Sequence, residues 1–260
     1  MLNALRVAAT GMNAQQKNVD VLSNNIANIS TTAFKRSDAN FTDLIYQNEI
    51  AAGATTSDNG TIAPTGSQVG LGVRLAATSR VLTQGGVDQT DDPYNIAIQG
   101  RGYFQVLMPN GDLSYTRDGT FKTDQTGALV TKDGYQVQPS IVVPDNATNI
   151  TISTLGQVTA SVNGVKTTLG QITINMFSNP AGLEALGNNY LRETEASGPA
   201  IEQTPNSQGA GTLLQGFVER SNVDPVLEIT KLISAQRSYE LNSRVISAVD
   251  QMLQSVNQIS

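Results

Sequence analysis

The chain has 260 residues and a net charge of −6, with 15% charged and 5% aromatic side chains and neither Cys nor His. An acidic balance relieved by nothing more basic than the pair Lys35-Arg36 argues against nucleic acid as a partner. Without Cys there is no disulfide framework or thiolate site, and without His the commonest general base and metal ligand is missing. No run of apolar residues is long enough to span a membrane.

The N-terminal stretch reads as a helix. Leu5, Met12, Val19 and Ile26 fall seven apart, with Ala8, Leu22 and Ile29 on the adjoining row. Arg6 interrupts the apolar run, Asn13, Gln15 and Gln16 follow, and the helical period continues through any cleavage region, so no cleaved signal peptide is expected. The amide-rich run Asn24-Asn25-Ile26-Ala27-Asn28 marks either a fraying helix end or amides bonded to a neighbouring helix. The pattern breaks at Ser30-Thr31-Thr32, and Phe41 to Tyr46 fits one strand or a helical turn.

Residues 47–70 carry no hydrophobic period and read as a linker or a functional extension. From Val69 to about Val218 the period becomes two. Phe104, Val106 and Met108 alternate with Tyr103, Gln105 and Leu107, and similar sets run through Tyr135–Ile141 and Ile172–Met176. Asn110-Gly111, Asp118-Gly119, Asp133-Gly134 and Asn163-Gly164 suit tight hairpin turns, which predicts an antiparallel β-domain. Ser221-Asn222-Val223-Asp224-Pro225 then opens a last helix with capping residues and a Pro near the first turn.

That helix carries two heptad rows, Leu232, Tyr239, Ile246, Leu253 and Ala235, Asn242, Val249, Val256, widened by Val245, Met252 and Ile259. A repeat of about 3.5 residues held this long describes a coiled-coil seam. Two readings fit: the chain ends pair within one domain, or they pair and also pack against copies of themselves. Charge favours the second. Residues 1–29 carry only Arg6, Lys17 and Asp20, and residues 245–260 only Asp250, whereas a solvated helix face is usually charged and an interface centre is not.

The expected architecture is α+β: N- and C-terminal helices paired as a coiled coil, around an antiparallel β-rich middle domain. The boundaries are 1–34 with 221–260 for the helical part, 35–70 for a linker or extension, and 71–220 for the β-rich part. Chemistry is hard to find. Gly70-Leu71-Gly72 and Gly100-Arg101-Gly102 do not continue into a dinucleotide or phosphate-loop fingerprint and read as turns. Asp91-Asp92 and Asp118, Asp124 and Asp133 lie at turns; Asp124-Gln125-Thr126-Gly127 lacks the closing Glu of a calcium loop. Neither an enzyme nor a metal or cofactor site is expected.

Three blocks carry a resemblance. Asn24 through Arg36, Gly100-Arg101-Gly102-Tyr103-Phe104 with Tyr115 through Phe121, and Ser221-Asn222-Val223-Asp224 with Ala235 through Ser243 and Asp250 through Gln254 together resemble the bacterial flagellar rod and hook proteins. The resemblance spans essentially the whole chain. It implies a structural subunit, exported unfolded by the flagellar export apparatus, that polymerises into a helical tube of the basal body. Its neighbours would be other rod subunits, the hook protein and the surrounding L and P ring proteins. The expected assembly residues are Leu5, Met12, Val19, Ile26, Asn24, Asn25, Asn28, Leu232, Tyr239, Asn242, Ile246, Val249, Leu253 and Val256. Ala33 stands where the family usually has Gly, so its backbone is not expected to take a Gly-only conformation. Asp224-Pro225 also departs from the usual pair and could move the last helix's start. A secreted β-domain binding module is the competing reading; it requires an exposed aromatic cluster.

Overall fold

The computed structural model describes residues 2–53 and 64–259. Two compact units emerge. One gathers residues 1–27, 37–80 and 224–260; the other gathers residues 28–36 and 81–223.

The first unit holds two long helices, α1 (Leu2–Ala27) and α2 (Pro225–Ile259), and four strands, β1 (Ser37–Asp43), β2 (Tyr46–Ile50), β3 (Ser67–Gly70) and β4 (Val73–Arg80). α2 starts where its capping residues place it, at Pro225. The Asp224 carboxylate accepts the N–H groups of Val226 (2.9 Å) and Leu227 (3.1 Å), two donors with no partner inside the helix. α1 and α2 pack against each other, and α1 also packs on the antiparallel β1–β4 ribbon. Thr10 joins the two, its hydroxyl donating to Val7 O (2.8 Å) and accepting the Val73 N–H (3.3 Å).

The 47–70 extension is only in part irregular. β2 and β3 pair antiparallel as a two-stranded ribbon, every residue of β2 is exposed, and residues 54–63 lie outside the described residues. The missing hydrophobic period has a simple cause: a ribbon exposed along its length has no buried side to mark.

The second unit is β-rich and antiparallel. Its largest sheet has seven strands, ordered Glu184–Gly187, Tyr190–Arg192, Leu113–Thr116, Phe104–Leu107, Gln136–Gln138, Leu129–Thr131 and Phe121–Thr123. A three-stranded sheet (Ala147–Ile152, Gln157–Val162, Val165–Gln171) lies in the same unit. The core gathers Ile96, Ile98, Phe104, Phe121, Leu129, Val137, Ile141, Val158, Ile172, Ile174 and Leu213, with Phe104 edge-on to Phe121 at 5.0 Å. A second cluster sets Phe177 edge-on to both Tyr103 and Tyr115.

Asn163-Gly164 forms the expected hairpin, both residues taking the positive φ that a tight two-residue turn demands. Asp118-Gly119 does not. The strands on either side of it pair with other neighbours, and a Cβ at Gly119 would lie 1.7 Å from Ile96 O. Glycine is needed there for close backbone approach, while Asp118 accepts the Thr120 N–H and hydroxyl.

The expectation for Ala33 is also overturned: it takes a left-handed conformation at φ 59, is buried, and donates its N–H to Glu219 O at 2.8 Å. For a residue with a Cβ that conformation costs about 1–2 kcal/mol, and glycine's extra chain entropy returns about 0.5–1 kcal/mol of it. Ala33→Gly should therefore raise the unfolding free energy by up to about 1 kcal/mol in urea titration. A loss of stability would show that the methyl group's packing outweighs the backbone strain.

Candidate assembly surface

The helical unit brings most of the expected residues together, though not on equal terms. On α2, Glu228, Ala235 and Val249 are buried and Leu232, Asn242, Ile246 and Leu253 half-buried, which is two heptad rows turned inward. Tyr239 breaks the row at 42% exposure, in a groove of about 430 Å³ lined by Gln16, Val19, Gln236 and Glu240. The Val256 side chain lies outside the described residues. On α1 the buried positions are Ala8, Ala14, Leu22 and Asn25, whereas Leu5, Met12, Val19 and Ile26 are only half-buried. The face of α1 turned inward thus carries Ala8 and Leu22 of the adjoining row together with Ala14 and Asn25. Bulky side chains stand at its margin.

The amide cluster divides. Asn25 is fully buried, its Nδ2 donating to Ser37 O (2.8 Å) and to Glu228 Oε2 (3.0 Å) while its Oδ1 accepts the Ser37 N–H (2.9 Å). Of the two readings of the amide run, bonding to the neighbouring helix holds for this residue. Asn28 accepts from Thr31 at the turn that follows α1, and Asn24 is exposed.

The other side of α2 is apolar too. Val226, Ile229, Ile233, Leu241, Val245 and Met252 are between 46% and 73% exposed. At about 100° per residue Val226 and Ile233 lie opposite Glu228 and Ala235, Ile229 and Leu241 lie on the flanks, and Val245 and Met252 lie beside the Asn242–Val249 row that they widen. A helix apolar on both faces is one meant to be buried. The β2–β3 ribbon adds Ile45, Tyr46, Ile50 and Val69 as exposed side chains. Among the described residues the exposed large aromatics are Tyr46 and Tyr239, both in the helical unit, so the β-rich unit lacks the aromatic cluster that a binding module requires.

In the β-rich unit the charged groups are spent on structure. Glu219, with a fully buried side chain, receives Lys35 Nζ and the Gly85 N–H (3.1 Å) on Oε1 and Arg117 Nε (2.8 Å) on Oε2. Arg117 also donates to the carbonyls of Ile98, Gly100 and Gly102, which is the work of the Gly100-Arg101-Gly102 turn. Burial alone would push the Glu219 carboxyl up; the Arg117 and Lys35 charges and their hydrogen bonds outweigh it and hold the carboxyl below its ordinary range. Burial lowers the Lys35 ammonium more than Glu219 raises it, yet a carboxylate held ionised beside it keeps the pair charged. Asn222 completes the joint, accepting Arg36 N–H (2.7 Å) and donating to Val81 O (2.8 Å) and Thr83 O (3.0 Å). Sequence reasoning missed this network; its one signal is a Glu at an inward position of the strand Phe217–Glu219.

The aspartates at turns behave as turn residues. Asp124 accepts the N–H groups of Thr126 and Ala128 and the Thr126 hydroxyl, whose bond holds its carboxyl below the usual range. Among the described residues no group of three acidic side chains is placed to hold a metal ion, and no helix is long and apolar enough to cross a membrane.

Comparison with known proteins gives a consistent result. Residues 5–35 match the family described as flagella basal body rod protein, residues 97–160 the flagellar hook protein FlgE/F/G D1 domain, and residues 214–259 the flagellar basal body rod FlgEFG protein C-terminal family. The flagellar basal-body rod protein FlgG of Caulobacter vibrioides is 52% identical over 99% of both chains. Proteins of the same name from Buchnera aphidicola (subspecies Acyrthosiphon pisum) and Agrobacterium fabrum are 47% and 46% identical over 100% and 98% of both chains.

Proposed function

This chain belongs to the flagellar basal-body rod protein family, and from that membership we propose that its copies polymerise into the tubular distal rod of the basal body. It is a structural subunit and not an enzyme. The observation that carries the polymer reading is α2, whose exposed apolar side chains, Val226, Ile229 and Ile233 among them, lie outside its inward rows and have no cover within the chain's own helical unit. Copies of the same chain supply that cover. A contact between two different patches, repeated without closing, builds a helical filament.

The finer features rest on the same support. The inward rows of α2 and the inward face of α1 form a coiled-coil pair that orders on assembly, since helices of this kind are marginal alone. Leu5, Met12, Val19 and Ile26 at the margin, with Tyr239 in its groove, are contacts to neighbouring copies, and Leu232, Asn242, Ile246, Val249 and Leu253 hold the pair. Val256 continues the same row by sequence, and Asn24 and Asn28 flank the site. The tube encloses the export channel, carries torque from the periplasm to the outer membrane, and meets proximal rod subunits, the hook protein and the L and P ring proteins. The chain reaches its place through the export apparatus without a cleaved signal. The exposed β2–β3 ribbon packs between neighbours and stiffens the shaft.

Electron microscopy of the purified full chain tests this reading. Open-ended hollow tubes are expected, and replacing residues 47–69 with a short turn should leave tubes that bend more. A discrete closed oligomer contradicts polymerisation, and tubes as straight and rigid as before contradict the role of the ribbon.

A further inference from the structure

Two contacts fix how the helices of this chain run past each other. Asn25 meets Glu228, and Gly11 lies under Asn242, where a Cβ on residue 11 would stand 2.9 Å from the amide nitrogen. Asn25 and Gly11 are fourteen residues apart on α1, and Glu228 and Asn242 fourteen apart on α2, so the helices are antiparallel with two whole heptads between the contacts. Apolar rows that repeat every seven residues do not by themselves choose one register, because sliding one helix by a heptad puts similar side chains back in contact.

The polar contact does choose. Glu228 is fully buried, takes the Asn25 amide, and pairs with Lys231 (3.2 Å), which also lies 3.7 Å from Asp38. The remaining capacity of the Asn25 amide goes to the backbone of Ser37, the first residue of β1. A seven-residue slip one way puts Glu228 beside Asn18, far along α1 from Ser37, and leaves Asn25 facing residue 221, ahead of the first residue of α2. The opposite slip carries Glu228 beyond Ala27, where α1 ends. Either slip breaks the joint between α1, α2 and β1. A buried carboxylate and amide contribute little net stability over an apolar pair of the same size, but a slip in either direction parts Asn25 from Glu228 and leaves Glu228 without the Asn25 amide that Ser37 holds in place.

We propose that Asn25 and Glu228 are positioning residues that set the α1–α2 register, and that their role is specificity of pairing and not stability. The inference stands on contacts within the helical unit and does not depend on the polymer reading. Pulsed dipolar spectroscopy tests it. The chain has no Cys, so spin labels can be placed at Gln16→Cys and Glu240→Cys, exposed positions on one groove. Labelled full chains are diluted into unlabelled ones, assembled or, if no polymer forms, free. The parent chain and Glu228→Gln, which keeps an acceptor for Asn25, should give one short distance. Glu228→Leu should keep its helix content by circular dichroism and gain a second distance population, from a slip of about 10 Å along the axis. Asn25→Ser should gain the same population. An unchanged single distance in Glu228→Leu, or loss of its helix signal, overturns the proposal; the second outcome assigns the pair a general role in stability.

Discussion

Glu219→Leu is expected to destabilise the β-rich unit by about 3–5 kcal/mol, the cost of breaking a buried ion pair from one side. The substitution removes the acceptor of three donors at once. Arg117 and Lys35, each with only 9% of its side chain exposed, lose their shared counter-ion, and the Gly85 N–H loses its partner. Arg117 keeps three carbonyls and Lys35 keeps Thr83 O, so the charges are solvated in part and the loss stays finite. Lys35→Met should cost less, since Glu219 keeps Arg117. Urea unfolding read on tyrosine emission is the suitable measurement: the chain has no Trp, and five of its seven tyrosines (Tyr94, Tyr103, Tyr115, Tyr135 and Tyr190) lie in this unit.

The same network gives a pH dependence of definite sign. The Glu219 carboxyl is lowered in the folded chain, so the unfolded chain binds its proton first as pH falls. Its contribution is present above the ordinary carboxylate value of 4.5 and is lost progressively below it, as pH falls through the lower folded value. Glu219→Gln should flatten the acid limb of the stability curve. A variant as acid-sensitive as the parent would place the titrating group elsewhere.

The second large effect concerns assembly. Ile233→Glu with Leu241→Glu alters exposed apolar positions of α2 outside its inward rows, at residues 46% and 60% exposed. The β-rich unit should fold as in the parent chain, and any loss of helix should follow the loss of polymer. Each lost apolar contact removes about 1.5–3 kcal/mol on burial, and about 1.4 kcal/mol is tenfold in an equilibrium constant. The critical concentration for polymerisation should therefore rise on the order of a hundredfold or more. Sedimentation across a dilution series reads it directly. An unchanged critical concentration would remove α2 from the contact between copies.

Much of this was legible because it is local. The heptad rows, the Asp224-Pro225 helix start and the Asn163-Gly164 hairpin follow from period and backbone preference, which neighbouring residues decide. What was not legible depends on atoms distant in sequence. Both rows of α1 were legible, but not which of them turns inward: Ala8, Leu22 and Asn25 are buried while Leu5, Met12, Val19 and Ile26 are half-buried, a choice made by what packs against the helix, such as Asn242 against Gly11. Ala33 is left-handed where its N–H meets Glu219 O, a partner far along the chain. Gly119 looks like a turn residue until Ile96 O is seen against it. The clasp of Lys35, Arg117 and Glu219 joins three segments that no spacing rule relates.

The central claim, that the terminal helices are assembly elements, is tested most directly by comparing the full chain with a piece of residues 28–223, which keeps Lys35 on Glu219. Circular dichroism and sedimentation are recorded for both over a concentration series. The account predicts a β-rich monomer for the trimmed piece and, for the full chain, helix content that rises as it polymerises. A full chain that is equally helical and monomeric at every concentration would contradict it, and would make the two helices the closure of a single domain.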